Sequence, residues 1–152
     1  MKRVGLSILL LVAVQSFSFA DVTKLPIDTQ RLLQEASRFH AMNVLPGGII
    51  ALCADHNGRF ADPGGMWQAT DVISDKTLPT KRLIWAVTDG DYYVVHYESG
   101  GRAHGYHVLV ARLEDSKAQF VWHGVGNKLK DYSAFLNALQ SGELDDSRDY
   151  YH

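Results

Sequence analysis

Cys53 is the only cysteine in 152 residues, so no disulfide can form within the chain and the core has to hold the fold by itself. Basic charge is also short. Lys and Arg number 15 against 17 Asp and Glu, a formal net charge of −2. Without a basic block, nucleic acid is a poor partner. The chemistry-bearing signatures are missing too: there is no HExxH, no CxxC, no GxSxG elbow and no SxxK pair. Neither an internal repeat nor a low-complexity tract interrupts the chain.

The one long apolar run lies at the N-terminus. Lys2 and Arg3 precede the apolar stretch Leu6–Val14, and Ser18-Phe19-Ala20 places small residues where a signal peptidase cuts. The run is too short for a bilayer core of about 30 Å, and no cysteine follows it to carry a lipid. Residues 1–20 therefore read as a cleaved secretion signal. The expected location is the periplasm, with no membrane span after cleavage. Residues 21–142 then form a single globular domain, and 143–152, rich in Asp and Glu, an acidic tail expected to fray.

Hydrophobic periodicity sets the elements. Asp28 stands as N-cap before Leu32, Leu33, Ala36 and Phe39, which share one stripe, so a helix is expected over about 29–42. The short apolar run at 48–53 reads as a strand, and 66–73 as another, separated by the turn-formers Asn57-Gly58 and Asp62-Pro63-Gly64-Gly65. Four β-rich runs follow: RLIWAVT, DYYVVHYE, AHGYHVLVARL and AQFVWHG. Asp89-Gly90, Ser99-Gly100-Gly101-Arg102 and Glu114-Asp115-Ser116-Lys117 join them, and such short links make neighbours antiparallel. A last helix opens at Asp131, aligns Leu129, Tyr132, Phe135, Leu136 and Leu139, and closes at Gly142. The fold class is α+β: an antiparallel meander of about five or six strands, with one helix before it and one after it on one face.

Counting back from the turns gives a register. Val87 then lies opposite Tyr92, Trp85 opposite Val94 and Leu83 opposite His96. Val94 meets His107, Tyr92 meets Leu109, and Ala111 meets Phe120. One face would collect Leu83, Trp85, Val87, Tyr92, Val94, Leu109, Leu113, Phe120 and Trp122 under the helices. The reverse face would carry Tyr93, Tyr97, His104, Tyr106, Arg112 and His123, the amphipathic mixture from which interface hot spots are made. A second sheet built from 48–53 and 66–73 is the competing cover for that face, and a one-residue slip at a longer turn would exchange part of the assignment.

Seven histidines invite a metal, yet His104 and His107 are three apart on a strand and point to opposite sides. No metal and no cofactor are expected. Asp55-His56-Asn57-Gly58 with Asp62 has the look of a calcium loop but lacks its acidic series and terminal glutamate. Cys53 ends an apolar run, where a thiol is more often packed than reactive. Ser99-Gly100-Gly101-Arg102, with His104 beyond it, reads as a protruding hairpin tip. The expectation is a binding protein of the inhibitor or immunity type. It would occlude the active site of a toxin or peptidoglycan hydrolase, with Ser99, Gly100, Gly101, Arg102 and His104 as the plug and Tyr93, Tyr97 and Tyr106 around it. No catalytic residue is assigned on this reading. Opposite charge makes a basic protein the favoured partner. The alternatives are a small periplasmic hydrolase using Cys53 with a nearby His or Asp, and a small-ligand carrier walled by the Tyr/His face.

Overall fold

The computed structural model describes residues 27–72 and 75–146, so residues 1–26, with the expected secretion signal, Ile73, Ser74 and the last six residues lie outside it. In chain order the elements are α1 (Ile27–Gln34), β1 (His40–Ala41), α2 (Gly47–Cys53), β2 (Lys81–Thr88), β3 (Tyr92–Ser99), β4 (Gly105–Glu114), β5 (Lys117–Gly126) and α3 (Tyr132–Ser141). The strands form one antiparallel sheet in the order β1-β2-β3-β4-β5. The α+β meander, with a helix before and a helix after, is therefore the architecture.

α1 is shorter than its periodicity suggests. It stops at Gln34 and gives way to a 3-10 turn at Ala36–Arg38, where Glu35 accepts from both Arg31 and Arg38 at 2.9 Å. α3 follows its sequence signals closely. The Asp131 carboxylate accepts from the Ala134 N–H at 2.9 Å, and Gly142 ends the helix with φ 72°. The acidic tail begins docked, because Asp145 exchanges two 2.8 Å backbone hydrogen bonds with Val125.

Two segments differ from expectation. Residues 48–53 are helical: the Pro46 carbonyl accepts from Ile49 and Ile50, which nucleates a turn. Ile49 and Cys53 are buried while Ala51 between them is exposed, a spacing of four that a strand would not give. Residues 66–72 are not a strand but a loop, held by a single parallel bridge at Thr70–Gly101 and by the Gln68 N–H donating to the Pro79 carbonyl at 2.8 Å. The cover over the reverse face is accordingly a helix and a loop, not a second sheet.

The register also moved. The loop between β3 and β4 spans residues 100–104, so Ser99 pairs with Gly105 and Val94 faces Val110 instead of His107. That offset is odd, and it exchanges the faces of β4 relative to β3. Ala111 does face Phe120, but a bulge beside it leaves Leu109 opposite His123. A second bulge at Ile84 turns Leu83 toward Tyr97. One face thus gathers Val87, Tyr92, Val94, Val108, Val110 and Trp122 against Leu32 of α1 and Phe135 and Leu139 of α3. The other gathers Leu83, Tyr93, Val95, Tyr97, Leu109 and Ala111 against Ile49 and Cys53 of α2. The sheet is covered on both sides.

The hairpin end leans on the 59–80 loop through Gly100. Its N–H donates to the Thr80 carbonyl at 2.8 Å, and a Cβ there would sit 2.8 Å from the Ala69 backbone. Gly100→Ala should cost about 1–3 kcal/mol by forcing two backbones apart. Gly47→Ala, in the first turn of α2 with nothing within 4 Å, should be neutral or stabilising by up to about 1 kcal/mol. Urea denaturation of both variants checks the pair.

Candidate functional site

The chemistry concentrates at one end of the sheet, where β3 runs out and the 100–104 loop turns. Glu98 and Ser99 are successive strand residues, so their side chains leave on opposite faces. Each anchors a separate polar cluster.

On the α1/α3 side, Glu98 is buried, 3% exposed. Arg82 reaches one of its oxygens from Nε and Nη2 at 2.8 and 2.7 Å, and His104 Nε2 reaches the other at 2.8 Å. Burial alone would raise the carboxyl's pKa; the Arg82 and His104 hydrogen bonds outweigh it and hold Glu98 below its ordinary value. Arg82 also donates to the Gly65 carbonyl and lies 4.9 Å from the Trp67 ring centre, a cation–π contact. His104 packs edge-on to Trp67 at 5.4 Å and against Tyr106 at 4.8 Å.

On the α2 side, Ser99 Oγ lies 2.7 Å from His107 Nε2, and His107 Nδ1 lies 3.1 Å from His123 Nε2. The His107 ring stacks on Tyr97 at 5.0 Å and 11°. Two proton arrangements satisfy this chain. Either the Ser99 hydroxyl donates to His107 and His107 Nδ1–H donates to His123, or both bonds run the other way. Burial, then the nearby Lys81 and His96, push His107 down to about 4; burial, then His107 and Lys81, do the same to His123. Both rings are neutral at pH 7.

His96 is fixed more firmly. Its Nε2 accepts from the Leu129 N–H at 3.0 Å, so the proton sits on Nδ1 and is donated to the His107 carbonyl 2.9 Å away. With both nitrogens used and no exposed surface, His96 fastens the segment before α3 to the sheet. Its pKa is lowered, by burial first.

The sequence-derived site residues separate into three groups. Arg102 is exposed, and His104 remains partly so at 41%. Gly100 and Gly101 are pressed against the 59–80 loop, Gly101 at φ 120°, so the hairpin base is embraced and not free-standing. Ser99 turns its hydroxyl inward to His107. Tyr93 and Tyr97 lie on the reverse face as expected, but that face is not open: they are 7% and 4% exposed, buried because α2 packs over them in the second core. Tyr106 is half-buried beside His104. Met66, 76% exposed, and Trp67 lie beside this end and were not read from sequence; their only signal was two large apolar residues directly after a Pro-Gly-Gly turn.

Cys53 has no accessible surface, and burial lifts its thiol up to about 12 against the pull of Lys81. It closes the C-terminal end of α2, where the helix dipole opposes a thiolate. Asp55 is likewise occupied. Burial would raise its pKa, but the N–H groups of Arg59, Thr80 and Asn57, at 3.0, 3.1 and 2.9 Å, lower it. It ties the turn. A cavity of about 340 Å³ opens among Asn57, Arg59, Gln68, Lys76, Leu78 and Thr80; none of the Tyr and His residues expected to wall a carrier pocket lines it. Among the described residues, no three His, Cys, Asp or Glu side chains converge on one point.

The chain matches no family model, and comparison with curated proteins and with solved structures found no match. What the fold and the site define is a meander with two opposed polar clusters at one end.

His96, His107 and His123 all have pKa values below the ordinary 6.5, so the unfolded chain takes up protons that the folded chain refuses. Their stabilising contribution is complete above about pH 6.5 and is lost as pH falls, toward about 4 for His107 and His123. The melting temperature should drop between pH 7 and pH 4.5. His96 and His123 each contribute at most about 1.4 kcal/mol per pH unit. His123→Asn should flatten that slope in thermal melts across pH, even if it lowers stability at pH 7.

Proposed function

We propose that the protein is a periplasmic binding protein of the inhibitor or immunity type, docking through the end of the β3–β4 hairpin into the cleft of a toxin or cell-wall hydrolase. The observation that carries this reading is Arg102. Every other arginine among the described residues faces a carboxylate; Arg102 stands exposed with none, at the tip of a braced loop. Glu98, Arg82 and His104 fix the tip from below, so little conformational freedom is lost when a partner closes over it. Trp67, in contact with His104, and the exposed Met66 before it in sequence add apolar residues to this end of the sheet, a composition typical of hot spots.

The tip also refines the partner. A guanidinium is satisfied by a carboxylate, so the receiving cleft carries acidic residues. The acidic net charge of the chain still favours a partner that is basic overall. Both conditions hold for a basic protein with carboxylates in its active cleft, as a glycoside-cleaving hydrolase needs. Secretion through residues 1–20 is part of the same proposal. Among the described residues no helix is long and apolar enough to cross a membrane.

Periplasmic extract passed over the wild-type chain and over Arg102→Glu tests the reading. The wild type should retain a hydrolase or toxin and lower its activity, and R102E should not. Equal retention by both would overturn it. Arg102→Ala should leave the melting temperature unchanged while weakening partner binding about tenfold, at a cost above 1 kcal/mol. His104→Ala should differ by also destabilising the fold by about 1–2 kcal/mol, since it strips one donor from buried Glu98.

A further inference from the structure

We propose that Ser99 is a nucleophile, with His107 as its general base and His123 as the residue that positions the base, and that this site cleaves short-chain carboxylic esters. It lies on the α2 side of the sheet, behind the docking end, and does not depend on Arg102 or on a protein partner.

Acyl transfer by serine needs a base within hydrogen-bond reach and a third group that orients the base. Ser99 Oγ to His107 Nε2 is 2.7 Å, and His107 Nδ1 to His123 Nε2 is 3.1 Å. The three residues come from three neighbouring strands, which makes the arrangement stiffer than a loop site. His107 cannot swing freely, because its ring is stacked on Tyr97 at 5.0 Å and on His123 at 5.2 Å.

Access and charge fit the same chemistry. Ser99 is half-exposed, and its cross-strand neighbour is Gly105. A Cβ on Gly105 would stand 3.1 Å from His107 Nε2 and 3.4 Å from Ser99 Oγ, so glycine keeps the space beside the pair open. Lys81 pairs with Ser99 from the other side and holds its ammonium 5.5 Å from the Tyr97 ring centre. It is the positive charge on the strand beside Ser99, and in the proposed reaction it serves the developing oxyanion. Tyr97, buried, and Val125, half-buried, are the strand neighbours of His107, close apolar packing that limits the acyl group to a small one such as acetyl. Because His107 stays neutral down to about 4, its proton-accepting form persists through the whole physiological range.

In the first step Ser99 Oγ bonds to the ester carbonyl carbon while its proton passes to His107 Nε2. The tetrahedral oxyanion forms beside Lys81. Its collapse breaks the bond to the alkoxide, which takes the proton from His107 and leaves as an alcohol, with the acyl group on Ser99. Water then attacks the acyl carbon and gives a proton to His107. That proton returns to Ser99 Oγ as the carboxylic acid departs.

The test uses the full secreted chain with a fluorophosphonate probe and p-nitrophenyl acetate. The wild type should take up one phosphonyl group, mapped to Ser99 by mass spectrometry, and hydrolyse the ester. Ser99→Ala, folded by circular dichroism, should lose both. His123→Gln should lower kcat at least tenfold with little change in KM, as expected of a positioning residue, and kcat of the wild type should stay level from pH 8 to about 5. The proposal is overturned by absent labelling, by labelling elsewhere, or by Ser99→Ala hydrolysing at the wild-type rate. A kcat profile with its midpoint near 6.5 would assign the base to a different histidine and overturn it as well.

Discussion

Strand β3 is buried on both faces from Tyr92 to Glu98, yet it carries His96 and Glu98 in that stretch and ends on Ser99. A polar group without water must find a partner or destabilise the fold by several kcal/mol. Most of the polar architecture answers this one demand. His96 takes the Leu129 N–H and the His107 carbonyl, which ties α3 to the sheet. Glu98 takes Arg82 and His104, which draws the returning end of the hairpin back on itself and brings Trp67 with Arg82. Ser99 takes His107, and His107 takes His123. A central strand of valines alone would pack as well and position nothing.

The two clusters are one residue apart and cannot interfere, because the pleat sends them to opposite sides. Their electrostatics differ for the same geometric reason. Glu98 is flanked by a guanidinium and an imidazole, so its charge is favoured despite burial, whereas burial first, and then the nearby Lys81, penalise charge on His107 and His123. One side of the sheet end is built to hold ions and the other to hold neutral rings. That division puts fixed charges at the end proposed for docking and neutral, proton-accepting rings at the proposed ester site.

Much of the scaffold was legible from local chemistry. The four long strands, the Asp89-Gly90 turn and the whole of α3 with both its caps follow from alternation, turn residues and capping. The failures share a cause: each needed a count that only tertiary packing decides. Gly47–Cys53 is too short for periodicity to separate helix from strand, and Pro46 settles it by pre-setting the first turn. The β3–β4 loop offers Ser-Gly-Gly-Arg as a tight turn, but Gly100 is recruited by Thr80 and the Ala69 backbone, so the reversal widens to residues 100–104. One odd step there moved Leu109, and the bulge at Ile84 moved Leu83, onto the reverse face, where α2 covers them together with Tyr93 and Tyr97 as a second core.

The same recruitment explains why the site was half visible. Arg102 and His104 belong to the loop, and their exposure survives any register. The Ser99–His107–His123 chain belongs to the register itself, since it requires Tyr97 opposite His107 and Leu109 opposite His123. With Val94 placed opposite His107, as the turn residues alone suggest, His107 would fall on the α1/α3 side and no relay could form. A glycine accepted by a neighbouring loop thus decides whether three polar residues from three strands meet. Loop–loop contact at Gly100 therefore limits the sheet-end chemistry more tightly than any strand propensity does.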